Sequence, residues 1–434
     1  MKRTLLALSL SIAVTGKIFA EDSTNTLPVL TLADAQSLAL KNHPQIASAN
    51  YLVLAAQEVV KETRAGYFPT INLYGTAVGV NQEGTRILAG GLNNPSVYDR
   101  AAGGLQVSQL ITDFGHTANL TASSKLQAQA QDQNLEETRE QVLLQVDSGY
   151  FTALGAQAVL HVAQQTLATR QLLGDQVAAL ATNALRSQLD VSFAQVQLQQ
   201  ARLLIEKAQN DADAAMATLS TALGFREFRE FQLVEQPSPT NAAATNDVSD
   251  LVQSALSHRP ELLSLRDQRD AALRFAKAQR DARLPVIQAV GVAGDAPIRD
   301  NALPNDYAAG GLQLTLPLFA GGLYTARQHE AELRAQSDTE QMRSLEDNII
   351  RDVRIGWLNL NNAQQQLQTT EELVRNAGEA FELAQARYKN GISSIVELSE
   401  AQLNLTSAQI ANVGARYNVL IQQANLNYQT GGLR

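Results

Sequence analysis

Two kinds of patterning follow one another along this chain, and the succession occurs twice. Leu312, Leu314, Leu316 and Leu318 alternate with Gln313, Thr315 and Pro317, and Leu105, Val107, Gln109 and Ile111 alternate with Gln106, Ser108 and Leu110. A period of two predicts strands with one apolar face. Ile71 to Val80 and Val286 to Val292 supply opposing strands, joined through the polar, Gly- and Asn-rich stretches 81–100 and 294–306. Each half therefore predicts one long hairpin.

Beyond each hairpin the period becomes helical for an unusual distance. No proline occurs between Thr117 and Thr182 or between Leu323 and Asn390. At 1.5 Å per residue such runs reach about 100 Å. Breaks at Asn183-Ala184-Leu185-Arg186 and Lys389-Asn390-Gly391-Ile392 reverse the chain, and return helices run to Leu223 and Tyr428. Leu189, Phe193, Val196 and Ala201 recur at near-heptad spacing among Gln and small residues, which suits antiparallel coiled coils with a narrow seam. Before each hairpin, Thr31 and Asp247 stand at the N-cap of a short helix with Asp34 and Asp250 three residues on. Second helices begin at Pro44 and Pro260, a position that tolerates a missing N–H. They end near Tyr67-Phe68-Pro69 and Arg283-Leu284-Pro285.

The succession is a duplication. Asp34, Ala39, Leu40, Pro44, Ser48, Ala55, Ala56, Lys61, Arg64 and Pro69 meet identical residues from Asp250 to Pro285 at a constant offset of 216. From Gly103/Gly310 the offset is 207, and it persists through Gly149/Gly356, Tyr150/Trp357 and Gly224/Gly431. A nine-residue length difference between the matched blocks is of the kind loops tolerate.

Strands of about nine to eleven residues are long enough to cross a bilayer when tilted. A small soluble sheet is the competing reading at this point. Four strands cannot enclose a hollow barrel, so a membrane sheet would require several chains to pool their strands.

Composition narrows the function classes. Apolar residues make up 45% of the chain and aromatics only 5%, with long runs dominated by Ala, Leu and Gln, a composition of extended helices more than of a compact enzyme. The absence of cysteine excludes disulfides, thiolate chemistry and a lipidated cysteine. Residues 1–20 read as a signal peptide: Lys2-Arg3, an apolar stretch from Leu5 to Val14, and a cleavage region ending at Ala20. Its removal changes the formal charge from −9 to −12, which argues against nucleic acid as a partner. The five histidines, His43, His116, His161, His258 and His329, have no metal-ligand spacing, and no phosphate loop, dinucleotide fingerprint or nucleophile elbow occurs. The expectation is no enzyme, no cofactor and no metal. The division expected is a signal peptide over 1–20, a first repeat over 21–224 (strands about 70–80 and 101–111, helical hairpin about 115–223), a linker over 225–246, and a second repeat over 247–434 (strands about 286–293 and 308–318, helical hairpin about 322–430).

Specific residues carry a family resemblance: Tyr67-Phe68-Pro69, then Pro317-Leu318-Phe319-Ala320-Gly321-Gly322, then Ala386-Arg387-Tyr388-Lys389-Asn390-Gly391 followed by Glu397-Leu398 and Ala401-Gln402. In this order, within a duplicated exported chain, they resemble the TolC-like outer-membrane efflux proteins of Gram-negative bacteria. The resemblance implies a mainly α chain with a membrane β-barrel: a homotrimer whose twelve-strand β-barrel is continued by a periplasmic α-barrel, with residues 225–246 in an equatorial belt. It implies the exit duct of a tripartite efflux pump in the outer membrane lipid, working with a periplasmic adaptor and an inner-membrane transporter. A type I protein secretion channel and, in a different class, a periplasmic coiled-coil scaffold stay open as alternatives.

The resemblance also implies where the gate lies. Glu397 and Glu400, three apart on one helix face, occupy places where relatives carry aspartates that form acidic rings, and Tyr388 and Asp190 match a latching tyrosine and its partner. The arginine expected two residues after the tip glycine is Ser393 here, so the latch is incomplete unless Arg186 or Arg387 compensates. Adaptor docking is expected at Ala184, Leu185, Arg186, Asn390, Gly391 and Ile392. An alanine at the first turn, where relatives commonly carry glycine, predicts a different turn shape.

Overall fold

The computed structural model describes residues 27–79, 85–89, 92–97, 99–183, 186–235, 247–299 and 304–433. The signal peptide, Ala184, Leu185 and linker residues 236–246 lie outside the described residues.

Short helix α1 (Leu32–Asn42) starts at a capping box in which the Thr31 hydroxyl takes the Asp34 N–H and the Asp34 carboxylate takes the Thr31 N–H. Helix α2 (Pro44–Ala65) follows with proline in its first turn. Strands β2 (Thr70–Val78) and β5 (Arg100–Thr112) form the first hairpin, and a small separate hairpin, β3 (Thr85–Ala89) with β4 (Leu92–Val97), stands in its connection. That connection reads as loop in the sequence because Gly90, Gly91, Asn93, Asn94 and Pro95 mask any alternation. Helices α3 (His116–Thr182) and α4 (Gln188–Ala222) form the first long hairpin.

The second copy gives α5 (Val248–His258), α6 (Pro260–Asp281), β7 (Val286–Ile298), β8 (Asp306–Thr315), α7 (Leu323–Lys389) and α8 (Ile395–Gln429). Strand β8 stops at Thr315, short of the 318 expected, because Pro317 has no N–H to give a ladder. Strand β7 extends to Ile298, beyond the 293 expected, because Ile298 still pairs with Ala101 on β5.

The four long strands form one antiparallel sheet in the order β2-β5-β7-β8. Cross-strand rows Leu73/Leu105 and Ile71/Val107 share a face with Leu312 and Leu314, and all six are exposed. The opposite face carries Thr70, Asn72, Gln106, Ser108, Gln288 and Gln313. The first face is mostly apolar, though it also carries Gln109 and ends at Asp295 and Asp306, and the second mixes Val290 and Val292 with neutral polar groups, a weaker form of the pattern of a wall between lipid and a water-filled interior. Among the described residues no helix is long and apolar enough to cross a membrane.

Away from the sheet the helices lie side by side in one layer. Near the sheet the order is α2-α3-α6-α7, and towards the far end it is α4-α3-α8-α7. Ala194, Ala201, Ala208 and Ala215 are buried at strict seven-residue spacing on α4, so the helix presents a narrow seam that allows close approach to α3. The largest core cluster lies midway, where Leu30, Ile46, Val146, Tyr150, Phe151, Leu219, Leu223 and Phe231 meet. There a two-residue strand, β1 (Val29–Leu30), pairs in parallel with β6 (Gln232–Leu233), an element that no periodicity announces.

Candidate functional site

The candidate site is the pair of helical turns farthest from the sheet. Helix α7 ends in a Schellman turn: the Gly391 N–H donates to the Tyr388 carbonyl at 3.0 Å and the Ile392 N–H to the Arg387 carbonyl at 2.9 Å. Gly391 adopts φ +71°, a conformation that a side chain disfavours. The turn leaves Ile392 at its apex, 66% exposed. Helix α8 then starts at Ser394, whose hydroxyl accepts the Glu397 N–H.

The first tip is built differently. Ser187 and Asp190 form a reciprocal capping box at the start of α4, with the Asp190 N–H on the Ser187 hydroxyl at 3.2 Å and the Ser187 N–H on the Asp190 carboxylate at 3.3 Å. Asp190 is thus committed locally. It lies near enough to Tyr388 to add to a rise in the phenol pKa, but the buried Tyr388 hydroxyl has no hydrogen-bond partner among the described residues. Burial is the larger cause of that rise, and the Arg186 charge opposes it.

Arg186 joins the two tips. Its guanidinium lies 4.3 Å from the centroid of the Tyr388 ring and donates to the Tyr388 carbonyl at 3.0 Å, the same oxygen that receives the Gly391 N–H. Beneath this contact Val177, Ala194, Ala384, Tyr388, Ile395 and Leu398 form an apolar cluster drawn from all four helices of the hairpins. Tyr388 itself is 5% exposed. Of the two arginines available to replace the one missing at Ser393, Arg186 makes the contact with Tyr388. Arg387 instead pairs with Glu397 at 3.1 Å.

Glu397 and Glu400 are both exposed and line an open groove of about 870 Å³ between α7 and α8, along with Leu373, Leu383, Arg387 and Ala401. Arg387 partly neutralises Glu397, whereas Glu400 has no ion pair among the described residues. Of the six docking candidates, Arg186, Asn390, Gly391 and Ile392 share this end of the molecule, and Ala184 and Leu185 lie outside the described residues. The described residues hold no cluster of three or more side chains able to ligate a metal.

The profile of the family described as "Outer membrane efflux protein" matches residues 35–225 and 251–432, most of the chain and both copies of the repeat. The chain is 25% identical to Outer membrane protein TolC of Escherichia coli across 87% of its own length and 78% of the relative's. It is 24% identical to the toluene efflux pump outer membrane protein TtgC of Pseudomonas putida, across 93% and 83%. Among solved structures, the outer-membrane channel OprN superposes with a TM-score of 0.78 at 18% identity, covering 92% of this chain and 90% of that one, a likeness of fold.

Proposed function

The chain belongs to the outer membrane efflux protein family, and from its sheet edges and helical tips we propose how it forms the exit duct of a pump. It is an outer-membrane efflux channel with a long periplasmic helical part. The observation that carries the proposal is the pair of open edges: among the described residues β2 and β8 each have one unpaired side, and four strands cannot enclose a passage. Three copies close a twelve-strand ring without leaving an edge. The helical layer supports the same closure. Its outermost helices expose Leu189, Phe193, Val196 and Leu203 on α4 and Leu358 on α7, which a neighbouring copy covers.

The tips form the gate of that duct. Arg186 clasps the Tyr388 turn and holds the two hairpins together, while Glu397 and Glu400 from three copies place stacked carboxylates at the constriction, where cations collect. Ile392 and the turn at Asn390 and Gly391 offer the docking surface for a periplasmic adaptor, and an inner-membrane transporter supplies the energy. The chain's own part is passive.

The deciding experiment reconstitutes detergent-purified protein into planar bilayers, with its mass measured in parallel. A trimer with discrete conductance is expected, and replacing Glu397 and Glu400 together by Ala raises conductance and weakens block by divalent cations. A non-conducting soluble monomer would rule out the duct, and unchanged block in the double variant would remove these two carboxylates from the gate.

A further inference from the structure

Four residues on the polar face of the sheet stand in one cross-strand row. Tyr74 on β2 pairs with Gly104 on β5, Gly104 with Gly294 on β7, and Gly294 with Tyr307 on β8. Side chains alternate along a strand, so with Leu73, Leu105 and Leu312 facing lipid this row faces the interior. Two tyrosines flank two residues that have no side chain.

The glycines are occupied by the ring of Tyr307. A Cβ added to Gly294 would overlap the phenol oxygen and lie 2.6 Å from its Cζ. One added to Gly104 would overlap the same oxygen and lie 2.7 Å from the Ala293 carbonyl. The ring therefore reaches from β8 across β7 to β5 and lies flat on the wall. Tyr307 keeps 42% of its surface exposed, and Tyr74 keeps 52%. One ring face rests on backbone and the other is open to the interior.

That open face determines what it attracts. The π-cloud is negative, and the nearest lysine or arginine on these strands is Arg100 at the start of β5, four residues along from Gly104. The remaining inward polar groups along the row's neighbours are neutral amides and hydroxyls, such as Asn72, Gln106 and Ser108. A planar cation passing at the level of this row meets an aromatic face among neutral side chains.

We infer that Tyr307, laid flat on Gly104 and Gly294 beside Tyr74 in the same row, is a pore-lining contact for aromatic organic cations crossing the outer-membrane barrel. The inference rests on the duct reading. It assigns Tyr307 a part in selecting cargo at the exit, a long way from the periplasmic gate.

The test is block of single-channel current by ethidium, a planar aromatic cation, in the full-length reconstituted protein. Tyr307→Ala is expected to weaken block about two- to five-fold, the size of an exposed cation–π contact. Tyr307→Phe, which keeps the ring face, retains it, and Leu312→Ala on the lipid face leaves it unchanged. Block of wild-type strength in Tyr307→Ala overturns the inference, as does an equal loss in Tyr307→Phe. Absence of any wild-type current in plain salt defeats the duct reading and this inference with it.

Discussion

The two tips descend from one repeated sequence and have become complementary halves of a clasp. At the 207-residue offset Arg186 corresponds to Ser393, Ser187 to Ser394 and Asp190 to Glu397. In the first copy Asp190 folds back onto its own cap; in the second, Glu397, one methylene longer, accepts no bond from the Ser394 N–H and pairs with Arg387. The first tip sends a cation across to the second, which supplies the ring and the carbonyl that receive it. Among the described residues the buried Ser393 hydroxyl has no hydrogen-bond partner. A duplicated unit can therefore divide a contact between its copies, and an arginine missing from one can be furnished by the other.

The largest contrast to test lies at mid-height, between Tyr150 and its counterpart Trp357. Tyr150 is fully buried, its hydroxyl lies 2.9 Å from the Leu30 carbonyl and 2.8 Å from that of Val234, and it accepts the Val234 N–H at 3.1 Å. It fastens the β1-β6 pair to α3. The Trp357 Nε1 is also buried but has no hydrogen-bond partner among the described residues. Tyr150→Phe removes the hydroxyl's bonds to Leu30 and Val234 but leaves the Val234 N–H on the Leu30 carbonyl at 3.2 Å, and is expected to cost about 1–2 kcal/mol, whereas Trp357→Phe, at a half-buried site, breaks no hydrogen bond among the described residues and is expected to cost less. Thermal unfolding in detergent, followed by helical circular dichroism, ranks the two; a larger loss in Trp357→Phe would remove Tyr150 as the anchor of the belt.

One turn away the copies differ in charge. Asp147 is 4% exposed and accepts a hydrogen bond from Gln36 at 2.7 Å, while its counterpart Arg354 is exposed. Burial lifts the Asp147 pKa from 3.8 to about 6, against the smaller opposing effect of the Gln36 bond. A raised carboxyl pKa means that the folded state holds the proton more tightly than the unfolded chain. Its stabilising contribution is complete below 3.8 and is lost as pH rises to about 6. Asp147→Asn should therefore be more stable than wild type by about 1–2 kcal/mol at pH 7.5 and indistinguishable from it near pH 3.5. Chemical denaturation at the two pH values measures this, and an equal difference at both would show that the carboxyl does not titrate on unfolding.

Legibility in the sequence followed the range of each interaction. The long helices, their caps at Thr31 and Ser394 and the turn at Gly391 depend on neighbours a few residues away, and proline-free runs display them plainly. Leu312 to Leu318 showed a strand but hid its end, since apolar alternation continues past Pro317 while pairing does not. The burial of Asp147 was illegible because α3 packs against α1, α2, α4, α6 and α8 in turn, so no single apolar stripe persists along it. At the candidate site, Tyr388, Glu397 and Asp190 were reached through resemblance. The reach of Arg186 to Tyr388, 202 residues away, needed the lateral packing of two hairpins. The row of Tyr74, Gly104, Gly294 and Tyr307 needed a strand register that no local pattern encodes.

The smallest effect separates the two tip carboxylates. Asp190 closes a cap in which both partners exchange backbone bonds, and Asp190→Ala is expected to cost about 1 kcal/mol at the first tip. Glu397 belongs to an ion pair whose side chains are 54% and 46% exposed, so screening leaves Glu397→Ala a cost of at most about 0.5 kcal/mol. Hydrogen exchange of the first-turn amides of α4 and α8 reads each tip separately. Faster exchange in α4 for Asp190→Ala, with α8 almost unchanged for Glu397→Ala, follows if the first carboxylate is fixed by its cap and the second is free to leave Arg387 and meet cations. Equal losses at both tips would mean that Glu397 also holds its helix, and a carboxylate committed to the fold is a poor candidate for the entrance ring.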